Sequence, residues 1–445
     1  MKKLLNTLYV TSENSYLALD GENIVVFEEK TEVGRLPLHN LEGIVSFGYR
    51  GTSPALMGAC VDRNISLCYM TPQGKFLARV TGKVKGNVVL RKQQYASTQD
   101  EGQSLEIAKN CILGKVYNAR WVLERAIRDH SFQIDVERVK SASEYLKKSL
   151  KYIQNSQSKE QLRGYEGEAA QIYFGVFDQL ILQQKKEFKF AGRNKRPPVD
   201  NVNALLSFVY TLLTNQIVAA LESVGLDPYM GYLHTERPGR ASLALDLIEE
   251  LRAVLADRFV LSLINKKIIT GKNFVKKENG AVLMSDDLRK KLLIEWQNKK
   301  KETLTHPYLK EKIEWGMVPY VQAMLLARYL RGDLDSYPVF LWKREREFGM
   351  LVLITYDVNT ETADGKRRLR KVAKQCVNYG RRVQNSVFEC ILDNAQCIML
   401  KSKLMDIIDE EVDSLRFYYL GNQYKTKIEH VGVDRGISVD DILII

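Results

Sequence analysis

Near residue 343 the chain changes character within a few residues, and that change constrains the fold more than any other feature. Residues 343–349 read Lys-Arg-Glu-Arg-Glu-Phe-Gly, a charged stretch with no hydrophobic period. Then comes Met350-Leu-Val-Leu-Ile-Thr-Tyr-Asp-Val, apolar and rich in β-branched residues. That run has the pattern of a buried strand, and Met350 looks like a former start codon. A chain of 445 residues is too long for one ordinary core, so a join here predicts separate units on either side. The six residues 344–349 would form the linker. Fully extended, it reaches only about 20 Å.

Before the join the chain has two textures. Short strands are expected at Leu8–Val10, Tyr16–Leu19, Ile24–Glu28, Arg35–Pro37, Gly43–Phe47, Ser66–Met70 and Phe76–Val80, with one helix at Pro54–Arg63. From about residue 104 the period becomes helical, over 104–130, 132–150, 158–184, 201–224, 241–264, 284–298 and 316–331. After Met350 the order reads strand, helix 364–379, strands near 382–392, helix 394–412, strand 415–420. The expected fold is therefore multi-domain, mixing α and β. It comprises a β-sheet domain over 1–95, an all-α catalytic lobe over 96–343, and a ferredoxin-like βαββαβ domain over 350–445.

Composition narrows the setting. Lys and Arg number 66 against 54 Asp and Glu, for a net charge of +12. Such a balance favours a polyanionic partner. The six cysteines, at 60, 68, 111, 376, 390 and 397, show no CxxC spacing, which argues against a zinc site or a redox pair. The N-terminus lacks the apolar core of a signal peptide, and no apolar run of about 18 residues predicts a membrane span. A cytoplasmic protein with reduced thiols is expected.

The residues that could carry chemistry are acids and one histidine. Glu166 heads a stripe of Ala169, Ala170, Tyr173 and Phe177 at helical spacing. A carboxylate there needs a cation or donors, or else it interacts with a helix dipole at a helix start. His234 lies in a Gly/Pro-rich loop that feeds a strong helix. On that helix Leu247, Leu251, Val254 and Leu255 form one side, and Asp246, Glu249 and Glu250 project on the other. The bland reading is a solvated acidic face. The functional reading joins His234 to these oxygen donors as a site for Mg²⁺ or Mn²⁺, suited to phosphodiester chemistry.

Three stretches carry a resemblance: Arg163-Gly-Tyr-Glu-Gly-Glu-Ala-Ala, Arg193-Asn-Lys-Arg-Pro-Pro-Val-Asp-Asn-Val-Asn-Ala-Leu-Leu-Ser-Phe-Val-Tyr, and His234-Thr-Glu-Arg-Pro-Gly-Arg-Ala-Ser-Leu-Ala-Leu-Asp-Leu-Ile-Glu. At these residues the chain resembles CRISPR-associated protein one, the adaptation integrase, in its subtype I-C branch. The resemblance implies Glu166, His234 and Glu249 as metal ligands and Asp246 as a supporting acid of the catalytic set. Some members of that family have Asp where Glu249 stands. Arg163 and Arg237 are expected as phosphate contacts, and Arg193, Lys195 and Arg196 as a basic DNA-facing loop. Otherwise that loop is a mobile solvated connection.

From Met350 onward the chain resembles CRISPR-associated protein two, the small adaptation subunit. The matching stretches are Leu351-Val-Leu-Ile-Thr-Tyr-Asp-Val, Lys366-Arg-Arg-Leu-Arg-Lys-Val-Ala-Lys and Tyr379-Gly-Arg-Arg-Val-Gln-Asn-Ser-Val-Phe-Glu-Cys. In that family the Asp at the position of Asp357 lies at a dimer axis and has been linked to a metal-dependent nuclease, which makes it a further metal-ligand candidate. Arg367, Arg370, Lys371 and Lys374 share one helix face, a geometry that tracks a DNA backbone without reading bases.

Together the two resemblances imply spacer acquisition. A metal-dependent integrase joins DNA 3′-hydroxyl ends into a CRISPR repeat array, and the second domain acts as a dimeric DNA-holding scaffold. The implied partners are double-stranded DNA (prespacer and repeat/leader), further copies of this chain, and a CRISPR-associated 4-type nuclease. Two other readings stay open: a structure-specific DNA endonuclease, and a non-catalytic DNA-capture scaffold whose C-terminal domain is a ribonuclease.

Overall fold

The computed structural model describes residues 6–82, 88–194, 197–342, 350–392 and 394–421. The chain divides into two compact units, Met1–Trp342 and Lys343–Ile445. The expected linker 344–349, and Lys195 and Arg196 of the basic loop, lie outside the described residues.

Unit one opens with strands β1 (Thr7–Val10), β2 (Ser15–Asp20), β3 (Asn23–Glu28), β4 (Thr31–Pro37) and β5 (Gly43–Phe47). Helix α1 (Pro54–Asp62) and strands β6 (Ser66–Met70) and β7 (Phe76–Val80) follow. Strands β2, β3 and β4 form an antiparallel meander. The other sheet runs β1-β5-β6-β7, parallel except for the last pair. Parallel neighbours need a crossover, and α1 supplies it between β5 and β6. Ser53 caps α1 by accepting from the Leu56 N–H at 3.2 Å, and Pro54 sits where a missing N–H costs nothing. Leu17, Ile24, Ile44, Leu56 and Leu67 fill the core between these elements.

The helical lobe contains α2 (Val88–Gln99), α3 (Glu101–His130), α4 (Val136–Gln154), α5 (Lys159–Gly175), α6 (Asn201–Val224) and α7 (Ser242–Leu251). A π-helical turn, Arg252–Asp257, leads into α8 (Arg258–Asn265). Strands β8 (Phe274–Lys276) and β9 (Val282–Met284), helix α9 (Asp286–Lys301), strands β10 (Thr303–Thr305) and β11 (Lys312–Glu314), and helix α10 (Val318–Leu330) complete it. Side-chain caps start many of these helices: Asp100, Asp135, Ser158, Asp200 and Ser285 each accept from an N–H three residues on. Helix α6 is long and apolar enough to cross a membrane by length and composition, yet 61% of its most apolar window is buried within the protein. It is a core helix of the lobe, against which Phe47 of β5 stacks through Phe208.

Four sequence expectations are corrected here. The domain boundary at 95 falls inside α2, whose polar surface hid its helical period. The lobe is not all-α, because β8–β9 and β10–β11 form two short hairpins of three-residue strands. The helix expected over 158–184 ends at Gly175 and passes into a short 3₁₀ turn at Phe177–Leu180. The single helix expected over 241–264 is interrupted by the π turn.

Unit two has β12 (Met350–Asp357), α11 (Ala363–Val377), β13 (Gly380–Gln384), β14 (Val387–Leu392), α12 (Asn394–Met405) and β15 (Ser414–Gly421). The sheet order is β13-β14-β12-β15 with antiparallel neighbours throughout. Val352 and Ile354 of β12 and Phe388 of β14 pack with Val372 and Cys376 of α11 and Leu400 and Leu404 of α12.

Candidate functional site

The loop before α7 builds the site. Pro228 O accepts from the Leu243 N–H at 3.0 Å, which ties the loop to the helix start. At Gly231 a Cβ would meet Asp246 Oδ2 and Ser242 at 2.8 Å, so only glycine lets the loop lie this close to α7. The closeness delivers three consecutive backbone donors to Asp246. Tyr232 N and Leu233 N donate to its Oδ2 at 2.6 and 3.1 Å, and His234 N donates to its Oδ1 at 3.0 Å. Asp246 is fully buried, and its carboxylate is an acceptor three times over. It therefore also accepts from His234 Nδ1–H, at 2.6 Å. With Nδ1 committed, the lone pair of Nε2 is free to bind a ligand.

His234 Nε2 faces Glu249 Oε1 at 3.9 Å. Glu249 is 2% exposed and is held by two cations: Arg252 Nη1 lies 2.7 Å from Oε1, and Lys115 Nζ lies 2.8 Å from Oε2. Burial alone would raise the Glu249 pKa, but Arg252, Lys115 and His234 outweigh it and bring the carboxyl down to about 2. Lys115 also pairs closely with Glu166 Oε1 and so bridges the two acids. Helix α3 brings Lys115 there because Gly114 lets α3 approach α7 closely; a Cβ on Gly114 would come within 2.9 Å of Glu250 Cβ.

The bland reading of α7 as a solvated acidic face does not hold. Asp246, Glu249 and Glu250 are all buried, each with its own partners. Glu250 points away from the site, accepting from Tyr337 Oη at 2.6 Å, Phe340 N at 2.6 Å and Gln322 Nε2 at 3.1 Å. Burial pushes its carboxyl up to about 7 despite those donors.

A cleft of about 760 Å³ opens beside Glu166 and Lys115 and reaches Arg193, Tyr210, Arg252 and Asp257. The guanidinium carbons of Arg193 and Arg252 lie 5.2 and 5.1 Å from the Tyr210 ring centroid. Asp257, in the π turn, accepts from Tyr210 Oη at 2.5 Å and Tyr173 Oη at 3.1 Å. Burial raises its carboxyl to about 6.

The expected site residues fall into three groups. Glu166, His234, Asp246 and Glu249 come together. Arg163 and Arg193 are turned to other work. Arg163 Nη2 donates to Leu233 O at 2.8 Å and so braces the His234 loop. Arg193, expected on a DNA-facing loop, is folded inward, donating to Asn203 Oδ1 at 2.6 Å and Ser207 Oγ at 3.2 Å. The polar and aromatic face of α6 offers it more partners than water at the loop tip would. Arg237, by contrast, is exposed.

In unit two, Arg367, Arg370, Lys371 and Lys374 occupy the exposed face of α11, while Arg368 is held by Asp413 at 2.7 Å. Asp357 stands exposed at the end of β12. Lys115 and Arg252 are the members of the site that the sequence reading missed. Both are charged residues set inside apolar stripes, Ile112-Lys115-Val116-Ala119 and Leu251-Arg252-Ala253-Val254, and that misplacement is the signal that could have found them.

As they stand, among the described residues no three His, Cys, Asp or Glu side chains gather closely enough to hold a metal ion. The donor set nevertheless fits one. Nε2 of His234 is free, and Glu249 Oε2 is buried with the Lys115 ammonium as its ion-pair partner at 2.8 Å. One imidazole and two carboxylates suit an oxygen-seeking divalent cation.

Residues 8–298 match the family described as CRISPR associated protein Cas1, and residues 350–428 match CRISPR associated protein Cas2. CRISPR-associated endonuclease Cas1 2 of Rhodospirillum rubrum is 50% identical over 347 residues, covering 77% of this chain and all of that one. CRISPR-associated endonuclease Cas1 1 of Chlorobaculum tepidum is 48% identical over 343 residues, with the same coverage. Among solved structures, a casposase bound to integration product is similar in fold, with a TM-score of 0.65 at 24% identity over 76% of this chain and 94% of that one.

Proposed function

The chain belongs to the Cas1 family of CRISPR-associated endonucleases and carries a Cas2 domain in its second unit, and from that premise we propose that it is a metal-dependent integrase of CRISPR spacer acquisition. It captures a short DNA duplex and joins its 3′-hydroxyl ends to phosphodiesters of the repeat array by transesterification.

The observation that carries this reading is the Asp246–His234 pair. Three backbone N–H groups fix Asp246, and Asp246 in turn fixes the His234 tautomer so that Nε2 faces Glu249. A surface histidine has no need of such a mount. Glu166, His234 and Glu249 would hold the cation, with Mg²⁺ or Mn²⁺ the choice that fits their donor atoms. When bound, it would neutralise the scissile phosphate and favour ionisation of the attacking hydroxyl. Arg163 braces the loop that carries His234. Arg193 and Arg252 set positive charge along the cleft wall, where a phosphate oxygen can be met. The nucleophile is the DNA itself, so no covalent enzyme intermediate is required.

The β-α-β-β-α-β order and the β13-β14-β12-β15 sheet support a ferredoxin-like second unit. Its exposed basic face on α11 supports backbone contact with duplex DNA. Asp357 is given a structural place at the DNA-holding dimer rather than a catalytic one, because one exposed carboxylate is a thin apparatus for hydrolysis. A homo-oligomer, a Cas4-type trimming nuclease and a cytoplasmic setting complete the proposal. The six free, buried thiols accord with that setting.

The test is the product. A 5′-labelled duplex with free 3′-hydroxyls, incubated with the protein, Mn²⁺ and a repeat-bearing plasmid, should give label covalently joined to the plasmid. Nicked plasmid with all label left on free duplex would instead identify a structure-specific nuclease.

A further inference from the structure

The bridge formed by Lys115 has a consequence for metal binding. Glu166 and Glu249 bring two negative charges to the site, and Lys115 and Arg252 bring two positive ones. With the buried Asp246 carboxylate behind His234 the site keeps about one net negative charge, so a divalent cation entering beside both basic groups meets little attraction. One cation has to withdraw. Arg252 is held from two sides, by Glu249 at 2.7 Å and by the Tyr210 ring. Lys115 is a flexible single ammonium on α3, placed between the two carboxylates that would become ligands. It also lines the cleft of about 760 Å³, which offers space for the displaced side chain.

We propose that Lys115 is a built-in placeholder for the metal: it holds Glu166 and Glu249 together while the site is metal-free, competes with the divalent cation for them, and swings into the cleft when the cation binds. This rests on the assignment of Glu166, His234 and Glu249 as ligands. Withdrawal places an ammonium beside Arg193 and Arg252, where their like charges oppose it. A phosphate in the cleft removes that opposition. Metal and DNA therefore bind with positive coupling through Lys115, and an unloaded protein holds the metal weakly. Lys115 acts as a positioning residue for the two acids, and nothing here requires it to touch the reacting atoms.

The experiment is calorimetric titration of Mn²⁺ into the full chain without DNA. Lys115→Met and the second neutral variant Lys115→Gln are expected to bind Mn²⁺ about tenfold more tightly than wild type, since a competing charge a few ångströms away is gone. Lys115→Arg keeps the charge and is expected to stay near wild type. In thermal unfolding, Lys115→Met should be less stable than wild type without metal and should gain more from Mn²⁺. His234→Ala, run alongside, should abolish binding. If it does, and both neutral variants bind no more tightly than wild type, the placeholder is overturned while the ligand assignment stands. If His234→Ala binds Mn²⁺ as wild type does, the ligand assignment fails and the placeholder falls with it.

Discussion

Replacing His234 with alanine is expected to lower the joining of a DNA 3′-end to a repeat-bearing plasmid by at least about a thousandfold, equivalent to roughly 4 kcal/mol of transition-state stabilisation. The size follows from its place. His234 presents the only ring nitrogen among the proposed ligands, and its other nitrogen is anchored at 2.6 Å to a buried carboxylate. Asp246→Asn should act through the same residue more mildly. The amide cannot accept from both the three backbone N–H groups and the imidazole, so Mn²⁺ affinity should fall by about 10- to 100-fold. Both variants should keep the wild-type circular dichroism spectrum. Joining by His234→Ala at wild-type levels would remove His234 from the chemistry.

The second large effect concerns stability. Glu250 ties the 337–340 segment to α7 through Tyr337, Phe340 and Gln322, entirely in the interior. Glu250→Ala leaves the Tyr337 hydroxyl and the Phe340 N–H buried without their acceptor, while Gln322 Nε2 keeps Tyr337 Oη and Pro338 O, at a cost of about 4 kcal/mol. In a unit of this size that is a fall in Tm of about 6 °C. The pH dependence has a defined sign. The folded pKa of Glu250, about 7, lies above its ordinary value of 4.5. Its contribution is therefore fully present below pH 4.5 and is lost as the pH rises through 7, over a range of roughly 3 kcal/mol. Glu250→Gln, which cannot ionise, should flatten this part of the stability curve and outlast wild type above pH 7. A Glu250→Ala protein that melts with wild type would show that the buried donors find other partners.

What the sequence made legible, and what it hid, follows from how far each signal reaches. The join near 343 was visible because charge and hydrophobic period change together there. His234, Asp246 and Glu249 were visible because they lie within sixteen residues on one loop and helix. Their burial was not visible. Amphipathic reasoning puts acids in water, yet α7 is buried all round and each acid has an interior partner. Lys115 was hidden because its partners are 51 and 134 residues away, joined only when α3 packs on α5 and α7. Arg193 was misplaced for a related reason. A basic loop reads as exposed until Asn203, Ser207 and Tyr210 of α6 are known to face it. The short hairpins β8–β9 and β10–β11 carry too few residues to show a strand period.

The most direct measurement is joining by the wild-type chain with divalent metal removed by a chelator and then restored, beside a Glu249→Gln protein given the same metal. Joined product should vanish without metal, return when Mn²⁺ is added back, and stay absent in Glu249→Gln. Joining that persists in the chelator, or that Glu249→Gln performs as well as wild type, would contradict metal-dependent strand transfer at this site.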